Sequence, residues 1–129
     1  MAVKFHIIGR RNPSDPDAPE KYYPSIRSDR RITTNDLAED IADGGSLTPP
    51  DVKGAVDALK RKIKKNLING DLVDLDELGS ISLRIKTTGS DTPEEVSAKN
   101  IKSVLVRFIP GKEFKRELQQ IEFVLDGEE

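Results

Sequence analysis

Two lysines follow the point where a predicted strand ends and a predicted helix begins, and this arrangement is the one in the chain best suited to binding an anion. The β-forming run ends at Phe108, Pro110 has no N–H to give to a strand ladder, and Lys112 and Lys115 come next. A helix that begins here points unpaired N–H groups and the positive end of its dipole outward, beside both lysines. Gly111 lets another backbone, or a phosphate, come close. The junction is therefore either an anion site, with nucleic-acid phosphate as a natural ligand, or an ordinary Pro-Gly turn.

Other residues that could carry chemistry have simple structural interpretations. His6 is the only histidine, lies in a predicted strand, and has no serine or cysteine at a catalytic spacing. Asp74, Asp76 and Glu77 could suggest a metal site, but a carboxylate turn between strands is more often solvated. The chain has no cysteine, and it has no glycine-rich phosphate loop or metal-ligand signature. We therefore expect no enzyme activity, no cofactor, no metal and no small-molecule substrate.

Length and composition predict a single soluble domain. The 129 residues are 35% hydrophobic and 34% charged, which is ordinary for a globular chain. No apolar run approaches the roughly twenty residues of a membrane span, and the N-terminus lacks the pattern of a secretory signal. The lack of cysteine suits a reducing compartment. We expect a cytoplasmic protein with no membrane partner.

The charge balance limits the nucleic-acid interpretation. A net charge of −2 and a pI of about 5.5 argue against a protein that coats DNA by bulk attraction, because such domains are usually basic. A local basic patch is therefore required. Residues 60–65 include five cations, but these wrap around a predicted helix. They are either a solvated surface that suits the helix dipole or, in part, a phosphate contact.

The first part of the chain predicts a β-hairpin. Residues 3–8 alternate loosely between apolar and polar types, as in a strand. Residues 12–19 contain three prolines and can hold neither a helix nor a strand ladder. Tyr22 to Ile26 suggest the return strand, so residues 3–28 are predicted to form a hairpin with a long tip.

Two helices with clear start and stop signals follow. Thr33 or Thr34 can cap a helix that runs through about Asp43. Thr48 caps a second helix, with prolines in its first turn, and Gly70 ends it. The short connection predicts a helical hairpin.

Beyond the helices the apolar period changes from that of a helix to that of a strand. Thr87 to Asn100 carries almost no large apolar side chain, so it is a loop or a protruding arm between two strands. The predicted elements are a short strand at Val73 and Leu75, a turn at 76–79, a half-buried strand with Ile81, Leu83 and Ile85, a strand at 101–109, a helix at about 111–119 and a last strand with Ile121, Phe123 and Leu125.

Several short motifs occur in this order of elements. They are Asn35-Asp36-Leu37-Ala38, Leu47-Thr48, Ala55-Val56-Asp57-Ala58, Asn69-Gly70-Asp71 with Val73 and Leu75, Leu78-Gly79-Ser80-Ile81, and Phe108-Ile109-Pro110-Gly111-Lys112-Glu113-Phe114-Lys115. In order and spacing the chain resembles the bacterial HU and integration host factor (IHF) family of histone-like DNA-bending proteins over about residues 33–118. The hairpin at the front is similar to the N-terminal strand extension of HU-like variants from the Bacteroides group.

The resemblance implies an α+β fold, in which a helical hairpin packs under an antiparallel sheet with a protruding β-arm. An N-terminal β-hairpin and a C-terminal helix and strand are added to it. Residues 1–129 would be one HU-like domain, made of a hairpin extension (1–32), an HU-like core (33–118) and a C-terminal strand and tail (119–129).

The resemblance also implies a homodimer that binds double-stranded DNA. Its two arms would reach around the minor groove, with a proline at each tip wedged between base steps. Carried over by position, the DNA-binding residues are Lys112, Lys115, Arg84, Lys86, Lys99, Lys102, Arg107 and, near the wedge position, Pro93.

The arm departs from the family pattern in its charge. The family's arm carries arginines and an Arg-Asn-Pro tip, whereas residues 89–95 read Gly-Ser-Asp-Thr-Pro-Glu-Glu, and acids there would repel phosphate. An Arg-Asn-Pro triplet does occur at residues 11–13, as a coincidence or as a relocated contact. Two functions stay open. One is weak, salt-dependent, largely sequence-independent DNA binding at the nucleoid. The other is an HU-scaffold module for protein interaction or assembly that has lost DNA bending.

Overall fold

The computed structural model describes residues 2–28 and 30–127. Contacts within the chain divide it into two compact units, Met1–Ile32 with Glu117–Glu129, and Thr33–Arg116. The helices and strands are β1 (Ala2–Arg10), β2 (Lys21–Ile26), α1 (Thr34–Asp43), α2 (Pro49–Ile68), β3 (Val73–Asp74), β4 (Gly79–Thr87), β5 (Ile101–Pro110), α3 (Lys112–Leu118) and β6 (Glu122–Leu125).

The first unit is a three-stranded sheet in the order β2-β1-β6. β1 and β2 form the predicted antiparallel hairpin, with Arg10 opposite Lys21 at the tip end and Phe5 opposite Ile26. β6 lies parallel to β1 on its other side. The Asp126 N–H donates to the Phe5 carbonyl oxygen at 2.8 Å just beyond the paired residues. The C-terminal strand was predicted, but its parallel pairing with the N-terminal strand was not.

The second unit contains the predicted helical hairpin. Thr33 caps α1, since its hydroxyl accepts from the Asp36 N–H at 3.2 Å while the Asp36 carboxylate accepts from the Thr33 N–H. Thr48 caps α2 through the Asp51 N–H at 3.3 Å. Gly70 follows the end of α2 at a φ of 89°, a conformation that glycine adopts without steric penalty. Both predicted helices are confirmed.

A second sheet, in the order β3-β4-β5, completes this unit, and β3 and β4 contact α2. β4 and β5 pair antiparallel from Gly79 with Pro110 to Thr87 with Ile101, with a register shift between Lys86 and Thr87. The predicted strand at residues 73–75 is shorter than expected, because the chain turns into a 3-10 helix at Asp76–Leu78. The α+β class, with a helical hairpin against an antiparallel sheet, is confirmed.

The single chain buries little apolar surface. Ala38, Ala42 and Val52 form the buried cluster between α1 and α2. The alternation predicted for β4 is present, but its burial is partial, because Ile81 is half-buried while Leu83 and Ile85 are 36% and 51% exposed. The apolar residues predicted to share a face of a strand or helix do so, but many of them are exposed to solvent in one copy of the chain.

None of the helices in the described part of the chain is long and apolar enough to cross a membrane.

Candidate nucleic-acid interface

The Pro-Gly junction after β5 is built around a close approach of two backbones. A Cβ added to Gly111 would overlap the carbonyl group of Glu77, in the 3-10 turn that precedes β4. The Gly111 N–H donates to the Leu78 carbonyl oxygen at 3.1 Å. Of the two approaches left open by the sequence, that of another backbone is the one present. Gly111 therefore fixes where α3 begins and does not form a cradle for phosphate.

Lys112 and Lys115 are carried by α3, which begins at Lys112, close to the predicted position. The Lys115 N–H donates to the Gly111 carbonyl oxygen at 2.9 Å, which ties the first turn of α3 to the junction. Both lysines are exposed. Because α3 has only seven residues, its dipole is weak, and the attraction that this element offers an anion comes mainly from the lysine charges.

Three predicted site residues lie together on the β4–β5 ribbon. The register places Arg84 opposite Leu105, Lys86 opposite Ser103 and Arg107 opposite Ser82. Since side chains two positions apart share a face, Arg84, Lys86 and Arg107 project from the same face of the ribbon, Arg84 and Arg107 as diagonal neighbours.

The ribbon strands carry cations and no carboxylates. β4 contributes Arg84 and Lys86, β5 contributes Lys102 and Arg107, and neither strand contains Asp or Glu. Within the described residues none of these four cations forms an ion pair with a carboxylate. We call strands β4 and β5 the basic ribbon. It concentrates positive charge in a protein whose net charge is −2.

The remaining two cations of the predicted site lie at the far end of the basic ribbon. Lys102 is next to Ile101, the last paired residue, where the register shifts. Lys99 lies in the 3-10 turn Ala98–Asn100, and its N–H donates to the Ser97 hydroxyl at 3.3 Å. Lys99 and Lys102 thus extend the positive charge to the base of the tip.

The tip of the ribbon is a loop that follows the last paired residues, Thr87 and Ile101, and it is closed by hydrogen bonds of its own, beginning with the Thr88 N–H to the Asn100 carbonyl oxygen at 2.8 Å. The Asn100 side-chain amide donates to the Thr88 carbonyl and the Ser90 hydroxyl, each at 3.0 Å, and its oxygen accepts from the Ser97 N–H at 2.9 Å. Pro93 begins the 3-10 turn Pro93–Glu95 and is followed directly by two acids. Of the alternatives left open for Thr87 to Asn100, the structure has a loop, which closes the end of the β4–β5 ribbon.

The catalytic role weighed for His6 and the metal site weighed for Asp74, Asp76 and Glu77 have no supporting cluster of side chains in the described part of the chain. Among the residues that the structure describes, no group of three His, Cys, Asp or Glu side chains could hold a metal ion. His6 lies half-buried in β1, and its buried Nδ1 has no hydrogen-bond partner among the described residues.

A second cationic surface lies at the tip of the β1–β2 hairpin and was not among the predicted site residues. Arg10, Arg11, Lys21 and Tyr23 line it. The signal that could have revealed it is the pairing of Arg10 with Lys21, which depends on a hairpin register that the long loop does not specify from sequence.

The fold and this interface together define a small α+β domain with a capped helical hairpin and a cationic β-ribbon. Residues 1–124 match the HU-HIG family, described as "HU domain fused to wHTH, Ig, or Glycine-rich motif". The chain is 30% identical over 93 residues to the DNA-binding protein HU of Thermus thermophilus, covering 70% of this chain and 96% of that protein. It is 31% identical over 98 residues to integration host factor subunit alpha of Vibrio atlanticus, covering 70% and 94%.

Two solved structures share the fold. One is a candidate bacterial DNA-binding protein from Bacteroides vulgatus, with a TM-score of 0.65 at 13% identity. The match covers 99% of this chain but only 49% of that one, so this chain spans about half of that protein's length. HU from Anabaena in a cocrystal with DNA has a TM-score of 0.55 at 20% identity, covering 69% of this chain and 99% of that one. The chain belongs to the HU/IHF family, in its HU-HIG group.

Proposed function

We propose that this protein is a non-enzymatic, architectural DNA-binding protein of the bacterial nucleoid. The observation that carries the proposal is the basic ribbon, because its strands contain no carboxylate and hold four cations that pair with no acid among residues 2–28 and 30–127. A surface of this kind attracts the phosphates of the DNA backbone, and this attraction does not depend on the base sequence. The names of the relatives, DNA-binding protein HU and integration host factor, support the same conclusion.

The proposed contact surface is a set of cations around the ribbon and its two ends. Arg84, Lys86 and Arg107 share one face, so they would follow neighbouring phosphates of one groove. The other contacts would come from both ends of the ribbon, namely Lys99, Lys102, Lys112 and Lys115. Binding would be weak and strongly dependent on salt, because it rests on exposed charges.

The tip modifies this function. Pro93 lies at the start of a turn with Glu94 and Glu95, and Asp91 is close in sequence. Carboxylates near phosphate oppose insertion of the proline between base steps, so we propose that the protein binds DNA while bending it little.

We further propose that the functional form is a homodimer. In one chain, Val104, Val106 and Phe108 on β5 are 59%, 64% and 43% exposed, opposite the apolar residues of β4. On the helices, Leu37 and Ile41 are also exposed. An exposed apolar face such as that of the β4–β5 sheet marks an interaction site, and a second copy of the chain would cover it.

Charge reversal on the ribbon tests the DNA-binding proposal. Fluorescence anisotropy with a long labelled duplex at about 50 mM salt would compare the wild-type protein with Arg84→Glu/Lys86→Glu. We expect the variant to bind at least about tenfold more weakly, with a salt slope about two units shallower, because two phosphate contacts are lost.

The matched control is Arg31→Glu/Lys53→Glu, at two exposed cations outside the proposed contact surface. It changes the net charge equally and should leave the affinity within about twofold. No binding by the wild-type protein at tens of micromolar, or equal losses in the two variants, would refute the proposal.

A second candidate function, a module for protein interaction or assembly, is favoured by the acidic tip and the net charge of −2. The variant Lys102→Glu/Lys112→Glu separates the candidates in cells. Loss of nucleoid association supports DNA binding, whereas unchanged localisation and phenotype support the assembly module.

A further inference from the structure

The cationic surface at the tip of the β1–β2 hairpin is concave and encloses about 590 Å³. We call it the hairpin-tip surface. Among the described residues that line it, the charged ones are Arg10, Arg11 and Lys21, and there is no carboxylate. Tyr23, which is 44% exposed, adds an aromatic ring with a phenolic hydroxyl.

The hairpin register brings these side chains to one face. Arg10 lies directly opposite Lys21, and Ile8 lies opposite Tyr23. Residues two apart on a strand share a face, so Arg10, Lys21 and Tyr23 project together. The loop beyond is ordered by its own hydrogen bonds, since the Asn12 carbonyl accepts from the Asp15 N–H at 3.1 Å.

Acidic residues occur in the same loop, but the structure places Glu20, which directly precedes Lys21, on the other face. The position of a Cβ on Gly9 is occupied by the Glu20 carboxylate. Because Gly9 alternates with Arg10 along β1, this carboxylate lies on the face away from Arg10 and Lys21.

None of the three cations is neutralised locally. Within residues 2–28 and 30–127, Arg10, Arg11 and Lys21 form no ion pair. Like charges directly opposite each other on paired strands destabilise a hairpin. An anionic ligand would convert this unfavourable pair of charges into a binding site.

We propose that the hairpin-tip surface binds phosphate groups of the DNA backbone and gives the chain a second DNA contact, separate from the basic ribbon. Arginine matches phosphate through a planar fork of donors. Arg10 and Arg11 supply two such forks, Lys21 a third charge and Tyr23 a hydroxyl that donates to a phosphate oxygen. The assignment to DNA rests on the proposed function, whereas the phosphate chemistry rests on the hairpin alone.

The test uses the full chain and the variant Arg10→Glu/Arg11→Glu. Anisotropy with a long labelled duplex at about 50 mM salt should show binding at least about fivefold weaker and a salt slope about two units shallower. The control Lys4→Glu/Arg30→Glu removes the same charge from exposed positions in the same unit. Its affinity should stay within about twofold of wild type.

The outcomes separate the failure of this inference from the failure of DNA binding itself. If the wild-type protein binds DNA and both variants lose affinity equally, or neither does, the hairpin-tip site is refuted and the ribbon proposal stands. If the wild-type protein binds no DNA, the assignment to DNA is refuted. An NMR titration with inorganic pyrophosphate then decides the chemistry. Shifts confined to Arg10, Arg11, Lys21 and Tyr23 support a site for a free phosphate compound, and an unchanged spectrum refutes any phosphate site.

Discussion

Gly111 illustrates how one residue determines where the candidate interface lies. Its backbone passes so close to Glu77 that any side chain would overlap the carbonyl group there. The N–H of the same residue is bonded to Leu78. Lys112 follows directly, so the position of this lysine relative to the ribbon depends on the absence of a Cβ one residue earlier.

We predict that Gly111→Ala destabilises the protein by about 1–3 kcal/mol, because overpacking at a rigid backbone contact forces the turn or α3 to shift. Urea unfolding at a fixed protein concentration measures the effect. Gly54→Ala in α2 is the control, since a Cβ there meets no atom of the described residues within 4 Å. It should stabilise by about 0.5–1 kcal/mol, as alanine favours helix. Equal effects of the two substitutions would show that the contact at Gly111 is unimportant.

Residues whose role is local were predicted well from sequence. Thr48 caps its helix as expected, and Thr33 is the cap where the sequence left Thr33 and Thr34 open, because a cap is decided within about four residues. The role of Gly111 was left open between a backbone and a phosphate. Its neighbour Glu77 is far away in sequence and becomes adjacent only after β4 and β5 pair.

At the scale of elements, the ribbon and its tip carry opposite charge. The strands hold cations alone, whereas the loop that closes them carries Asp91, Glu94 and Glu95. The hydrogen bonds of Asn100 hold this loop in a defined shape. The acids are therefore held at the end of the ribbon, where they oppose its attraction for DNA.

We predict that Glu94→Lys/Glu95→Lys strengthens binding to a long DNA duplex by at least about fivefold at about 50 mM salt and steepens the salt slope, because repulsion is replaced by attraction. Anisotropy titration measures both quantities. Glu39→Lys/Asp40→Lys on α1 makes the same change in net charge at exposed positions and should have little effect. An unchanged affinity in the tip variant would place the tip outside the DNA contact.

The type and order of the elements were largely predictable, whereas the sheet partner of β6 was not. The spacing of apolar residues and the start and stop signals identified the N-terminal β-hairpin and the helical hairpin formed by α1 and α2. β6 was predicted as a strand, but its parallel pairing with β1 joins the two ends of the chain. No local pattern encodes such a pairing, because it depends on which sheet edge is free after the rest has folded.

At the scale of the whole molecule, the exposed apolar residues predict assembly. We expect Val106→Lys to abolish the homodimer, since Val106 is 64% exposed in the single chain and a lysine would place a charge in the proposed interface. Light scattering coupled to size-exclusion chromatography gives the mass. Val96→Lys in the tip loop is the control, with an exposure of 59%. A monomeric wild-type protein, or a dimer that survives Val106→Lys, would contradict this assignment.

The bulk charge of the molecule was a poor guide to its surface. A net charge of −2 weighs against DNA binding, yet the ribbon strands contain no acid. The net charge sums the cations and acids of all elements, so it does not show that the acids are absent from these two strands. The family motifs gave the ribbon residues from sequence, whereas the hairpin-tip surface required the observed register of β1 and β2.

The salt dependence of its affinity for DNA shows whether this protein holds DNA through the charges of the basic ribbon. The affinity of the wild-type chain for a long duplex would be measured between about 50 and 200 mM salt. We predict a logarithmic slope of about −3 or steeper, equivalent to three or more phosphate contacts at about −0.9 each. A slope near zero, or no binding at tens of micromolar protein in the lowest salt, would contradict a protein that holds DNA through its basic ribbon.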